Sequence, residues 1–302
     1  MSFLLACVNS EPKTQNCLLH GRTTVRRMFA VALPLTLMLT VLPGGLTASQ
    51  QAGNPATTPE PAFEPEVGQP GKDVVWVPTS PELVEKMLDM AKVTPQDFVV
   101  DLGSGDGRNV IAAAKRGATG VGFEYNPDMV ALSRRRAREA GVADKATFVE
   151  GDMFEADFSK ATVLALFLLT DNLDKLKDKF LKLRPGTRIV LNTFGVTGWE
   201  ADVSERLEDC TSWCTSMLYI VPAPVAGTWK MPQGELVLTQ EFQKVSGTLI
   251  ASGTTTAIAD GRLHGDQITF TAAGRTYTGR VAGSRIEGSG SGPAWTATKA
   301  GS

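Results

Sequence analysis

Between residues 73 and 221 the chain alternates short apolar runs with stretches of helical period. Phe98-Val-Val has the length and composition of a buried strand, and Thr119 to Glu124, Ala146 to Glu150, Ala161 to Leu169, Thr187 to Thr193 and Met217 to Val221 read as further strands. The intervening stretches predict helices. Leu83, Val84, Met87, Leu88 and Ala91 recur on one helical face behind Ser80-Pro81-Glu82, an N-cap serine with proline at N1. A helix from about Arg108 to Arg116 stops at Gly117. Asn126-Pro127-Asp128 starts another that Gly141 ends, and Asp171 to Leu183 is closed by Arg184-Pro185-Gly186. Strands alternating with helices predict an α/β layer: parallel strands, right-handed crossovers and helices on both faces. Ligands of such a sheet lie at the carboxyl ends of its strands.

The pattern changes at both ends of this region. From about Pro222 helical periodicity is lost. Short strand candidates replace it at Gly227 to Trp229, Glu235 to Thr239, Val245 to Leu249, Gln267 to Phe270, Arg275 to Val281 and Ala294 to Thr298, separated by glycine-bearing turns. They predict a small antiparallel β domain, a sandwich or barrel, over 222–302. Gly227-Thr-Trp229 resembles the start of lipocalin-like barrels. On the other side, 50–72 is rich in Pro, Gly and small polar residues and reads as a linker. Within 1–49, arginines from Arg22 to Arg27 precede an apolar run of 14 residues, Phe29 to Leu42, and then Gly44-Gly45-Leu-Thr-Ala48-Ser49. A positive region, a short apolar core and small residues read as a signal peptide, or as an uncleaved signal anchor; the run is short for a membrane span. The predicted location is accordingly exported, periplasmic or membrane-anchored, and cytoplasm-facing if the segment stays as an anchor.

Composition narrows the function classes. A hydrophobic content of 42% and a charged content of 21% are ordinary for a globular protein, and a net charge of −2 gives no global reason to expect nucleic acid. Arg134, Arg135, Arg136 and Arg138 read as a solvated helix face that complements the helix C-terminus. Two histidines, His20 and His264, are too few for a histidine metal site, and no metal is expected. Outside the leader only Cys210 and Cys214 remain, and a hairpin turn would bring them within disulfide reach in an oxidising compartment.

The candidate chemistry centres on Asp101-Leu-Gly103-Ser104-Gly105-Asp-Gly107-Arg108. Alternating glycines let the backbone turn tightly and approach a ligand, while the following helix offers its first N–H groups. The spacing is not the G-x-G-x-x-G of dinucleotide sites, because Gly107 comes one residue early and Arg stands at 108. Instead, Asp-x-Gly-x-Gly-x-Gly resembles motif I of the class I S-adenosylmethionine-dependent methyltransferases. The turn's N–H groups suit the methionine carboxylate, and backbone carbonyls or Asp101 suit the ammonium. Glu124, 23 residues past Asp101, ends the second strand near the spacing at which an acid meets ribose hydroxyls, and only a carboxylate accepts from both hydroxyls of a diol. Asp152 suits the adenine amino group, with a surface turn as its alternative. Met153 would cover the ring, or be a core contact.

Residues 73–221 resemble a class I methyltransferase throughout, which implies a Rossmann-like core. Trp76-Val-Pro-Thr79 followed by a helix and the Asp101 turn resembles the small protein-lysine methyltransferases of mitochondria and their bacterial relatives. This resemblance implies S-adenosyl-L-methionine as cofactor, held by Thr79, Asp101, Gly103, Ser104, Gly105, Glu124, Asp152 and Met153, and a protein lysine among the acceptors it allows. Leu169-Thr-Asp171-Asn172 stands where many amino-directed methyltransferases carry Asn/Asp-Pro-Pro-aromatic, so no catalytic base is named. Two functions follow: a methyltransferase, or an exported protein that keeps the cofactor fold without catalysis.

Overall fold

The computed structural model describes residues 63–289 and 294–301. The expected export segment, Cys7 and Cys17 lie outside the described residues.

Two of the helices form where side-chain caps and apolar periodicity coincide. In α1 (Pro81–Met90) the Ser80 hydroxyl accepts from Leu83 N, and Leu83, Val84, Met87 and Leu88 are buried. In α3 (Pro127–Glu139) the Asn126 side chain accepts from Asp128 N and Met129 N. α2 (Arg108–Lys115) starts from Gly107 in the left-handed region (φ 82°), and α4 is Thr170–Phe180. The strands β1 (Phe98–Leu102), β2 (Thr119–Glu124), β3 (Ala146–Glu150), β4 (Val163–Leu166) and β5 (Arg188–Asn192) pair in parallel in the order β3-β2-β1-β4-β5.

Two strands at the edge depart from the expected pattern. β7 (Thr215–Ile220) runs antiparallel to β5, with Ser216 opposite Asn192, and β6 (Val203–Arg206) pairs antiparallel with β7. An apolar run carries no direction, so β7 reads in sequence as one more parallel strand. The four residues of β6 are all exposed and give no hydrophobic signal.

The C-terminal region is a closed antiparallel ring. β8 (Gly227–Met231), β9 (Gly234–Glu241), β10 (Lys244–Ala251), β12 (Ala259–His264), β13 (Gln267–Ala272), β14 (Arg275–Ala282), β15 (Arg285–Ser289) and β16 (Thr296–Lys299) follow one another round the ring. β16 pairs back onto β8, and β11 (Thr254–Ala257) forms a hairpin with β10. Eight strands enclose a space that side chains just fill. Here Trp229, Phe270, Trp295 and their aliphatic neighbours form the core, and the Trp229 indole donates to Val225 O at 2.7 Å. A barrel, rather than a sandwich, is the outcome.

The stretch 63–71, expected as linker, is bonded to the fold. Gly68 N donates to Trp76 O (2.8 Å), Trp76 N to Gln69 O (2.9 Å), and Arg135 reaches Phe63 O and the Glu64 carboxylate. These backbone and charge contacts leave no hydrophobic pattern to read. They also correct the reading of the arginine cluster as a merely solvated face. Arg134 donates to Phe148 O, Arg135 pairs with Glu64, and Arg136 pairs with the buried Asp106.

Candidate active site

The glycine turn follows β1 at the carboxyl edge of the sheet. Gly103, Gly105 and Gly107 all have positive φ (71°, 55° and 82°). At Gly105 a Cβ would stand 2.7 Å from Nε1 of Trp76, so only glycine fits beneath that indole. Two clefts meet over the turn and share Trp76, Val77, Gly103 and Phe167. The larger, with about 700 Å³ of empty space including its open mouth, is lined by Glu124, Asn126, Met129, Asp152 and Met153. The smaller is lined by Thr79, Asp101, Ser104, Gly105 and Asn109. The eight residues singled out in the sequence therefore gather round one turn.

Their bonding differs in part from expectation. The turn's own N–H groups are largely engaged: Gly103 and Ser104 donate to Phe123 O, Gly107 donates to Ser104 O, and Gly105 donates to Glu124 Oε2 at 2.9 Å. These four do not form a free anion cradle, because the tight turn folds them back on the second strand. Glu124 also accepts from Asn126 N through Oε1 at 2.9 Å. Each of its oxygens has a second lone pair, so a carboxylate fixed by two backbone bonds still offers acceptors to a diol.

Asp101 is 3% exposed and accepts from Asn109 Nδ2 at 3.1 Å. Burial pushes its carboxyl well above the usual range, against the Asn109 bond and with help from the negative charge of Glu124. A cation beside it would satisfy the buried group. Asp106 is held low despite burial by Arg108 and Arg136. Arg108 also donates to Thr79 O, which ties the turn to the lead-in of α1. The buried Thr79 hydroxyl accepts from Asn192 Nδ2 at 3.1 Å, at the end of β5.

Asp152 lies in the larger cleft but is bound by Lys72 Nζ at 2.5 Å, which lowers its pKa and raises that of Lys72. Met153 is 6% exposed and packs in the main core while bordering the cleft, so the two readings of it coexist. Trp76, Lys72 and Phe167 join the site without having been assigned from the sequence. Trp76 has a signal there, since it opens the Trp-Val-Pro-Thr run; Lys72 and Phe167 have none.

The residues suit S-adenosyl-L-methionine: a carboxylate that is fixed yet unsaturated, a buried acid with a raised pKa, and a glycine where a side chain would run into the Trp76 indole. The family profile described as ANTKMT methyltransferase domain matches residues 101–203. A protein-lysine N-methyltransferase of Saccharolobus islandicus is 40% identical over 151 residues, 49% of this chain and 94% of that protein. The adenine nucleotide translocase lysine N-methyltransferase of Mus musculus is 33% identical over 129 residues, 42% of this chain and 56% of its own. Among solved structures, an RNA methyltransferase from Salinibacter ruber in complex with S-adenosyl-L-homocysteine is 44% identical, covers 49% of this chain and 96% of its own, and has a TM-score of 0.47. With a relative at 40% identity matched over nearly its whole length, the chain belongs to this methyltransferase family, and it is an S-adenosyl-L-methionine-dependent enzyme.

Proposed function

We propose that this enzyme methylates the side-chain amine of a protein lysine. The observation that carries the reading is the similarity to lysine N-methyltransferases over the cofactor-binding half of the chain. The cofactor supplies an electrophilic methyl group on a sulfonium. The protein's part is to hold and align. Glu124 takes the ribose hydroxyls, Asp101 the methionine ammonium, and Asp152 with Met153 borders the adenine. Gly103, Ser104 and Gly105 form the floor of the site. Thr79, held by Asn192, lies beside the methionine end. The acceptor would have to react as the neutral amine, its lone pair taking the methyl while the C–S electrons stay with sulfur, and the amine's proton would pass to solvent. Alignment of nucleophile and methyl is sufficient for such a displacement and requires no general base in contact.

We further propose that the 1–49 segment directs the enzyme to or across a membrane, with 63–221 as the catalytic unit and 222–302 as an accessory barrel. Support comes from the apolar run of the leader and from the Cys210–Cys214 disulfide, which suits an oxidising compartment. The test of acceptor chemistry is to incubate the full chain and methyl-tritiated cofactor with an extract of cells lacking this protein, then map the labelled residue by mass spectrometry. Label on lysine Nε is expected. Label confined to other residues would remove the lysine reading.

A further inference from the structure

Three aromatic rings from three separate elements meet at the carboxyl edge of the sheet, next to the cofactor clefts. Phe167 directly follows β4 and borders both clefts. Phe194 lies two residues past β5, and Trp213 sits on the loop before β7. Phe167 and Phe194 stack at 6.2 Å between ring centroids, and Trp213 leans against both, at 5.8 Å and 5.3 Å. At these separations the rings touch, so they form a platform with an outer face and not a hollow cage.

The loop that carries Trp213 is built to present it. The Cys210–Cys214 disulfide closes the loop across a Cα separation of 5.7 Å, and Trp213 takes a left-handed backbone conformation (φ 55°), uncommon for a bulky residue. Yet Trp213 is 42% exposed, so the closure does not serve to bury it. Glu208 and Asp209 stand exposed immediately before the loop, and the exposed Arg206 pairs opposite Thr215 just after it. The exposed aromatic faces favour a cation. The loop lies outside the 101–203 region that the family profile matches.

We propose that the disulfide-closed loop 210–214 is an acceptor-recognition element, holding Trp213 against Phe167 and Phe194 as a platform for the alkyl stem and methylated ammonium of the acceptor lysine. This rests on the lysine reading. Methylation strips donors from the ammonium and makes it less hydrated, so the aromatic platform favours the head group as methyls accumulate. Phe167 carries the platform to the edge of the cofactor clefts, where the methyl must be handed over.

The test uses the full chain with its disulfide intact and saturating S-adenosylhomocysteine. The probe is Nα-acetyl-Nε-trimethyllysine amide, and the control is its neutral isostere with a tert-butyl group in place of trimethylammonium. Binding is followed by the Trp213 indole N–H resonance, and in variants by competition with labelled probe. The cationic probe is expected to bind at least about threefold more tightly than the isostere, as a cation–π contact requires. Trp213→Ala should erase that preference and leave S-adenosylhomocysteine affinity unchanged. The double variant Cys210→Ser with Cys214→Ser should do the same if it folds; Trp213→Ala decides the matter if it does not. Equal affinity for the two probes, or an undiminished preference in Trp213→Ala, overturns the platform even where the labelled acceptor is lysine. Label on a residue other than lysine removes the occupant named here, whatever the probes do, so the two failures are distinct.

Discussion

Each oxygen of Glu124 already accepts one backbone N–H, from Gly105 and from Asn126. The side chain is thereby oriented before any ligand arrives, and its spare lone pairs are free to accept from the diol proposed for it. Loss of a hydrogen bond to a charged group costs about 1.5–3 kcal/mol. Glu124→Ala should therefore weaken S-adenosylmethionine binding about tenfold or more by calorimetry, and NAD should not compete in the parent protein. Unchanged affinity in a folded variant would refute the assignment. Asp101 behaves oppositely in stability. Its folded pKa lies above the unfolded value, so the folded state holds a proton that the unfolded state has released between those two values. Stability without cofactor therefore falls as pH rises through that window. Asp101→Asn removes the penalty and keeps an acceptor for Asn109. It should raise the melting temperature of the cofactor-free enzyme at neutral pH while weakening cofactor binding. A variant less stable and unimpaired in binding would contradict both halves of this argument.

At the scale of elements, what is legible in the sequence follows from local chemistry. α1 and α3 are readable because serine or asparagine caps, proline at N1 and an apolar stripe coincide in a few residues. The central parallel strands β1, β4 and β5 are readable because burial on both faces leaves nearly continuous apolar runs. The disulfide is readable from the short spacing of its two cysteines. The polar strands are not. β6, β11 and β15 are Val-Ser-Glu-Arg, Thr-Thr-Thr-Ala and Arg-Ile-Glu-Gly-Ser, and pairing partners rather than their own composition make them strands. The same limit applies to the polar clamp under the site. Asp97 accepts from Thr94 N, Thr162 Oγ1 and Arg188, and so joins the amino ends of β1, β4 and β5. Nothing in a Pro-Gln-Asp turn announces partners 65 and 91 residues away. The candidate site divides along this line. Asp101, the glycines and Glu124 sit in one contiguous pattern with fixed spacing. Phe167 hides within an apolar run, and Trp213 acquires its neighbours only when β7 folds back along β5.

At the scale of the whole molecule, the barrel is docked on the sheet through the segment that follows β5. Trp199 stacks on Phe242 at 5.3 Å with the rings 7° from parallel, and Trp199 also meets Tyr219 of β7 edge-on. Gln243 donates to Glu200 O at 2.6 Å, Arg262 pairs with Asp202 at 2.9 Å, and Ala223 N donates to Gly265 O at 2.8 Å. Asp202 in turn accepts from Ile220 N, so the barrel's arginine is linked to the backbone of the sheet. A buried aromatic stack flanked by such bonds couples the two parts, and they should unfold together. The indole N–H resonances of Trp229 and Trp295 report on the barrel, while far-UV dichroism of the helices reports on the methyltransferase layer. In the parent protein both signals should trace one transition. Cofactor at a hundred times its Kd should stabilise that transition by about 2.7 kcal/mol, although the clefts that would hold it are lined only by residues of the methyltransferase layer. Phe242→Ala removes the stack, worth about 0.5–1.5 kcal/mol beyond its buried area, and should lower the melting temperature in both signals. Coupling is absent if the parent's tryptophan transition stays put while cofactor moves the helical one. The barrel would then be an independent passenger, and the Trp199–Phe242 contact a point of attachment without thermodynamic consequence.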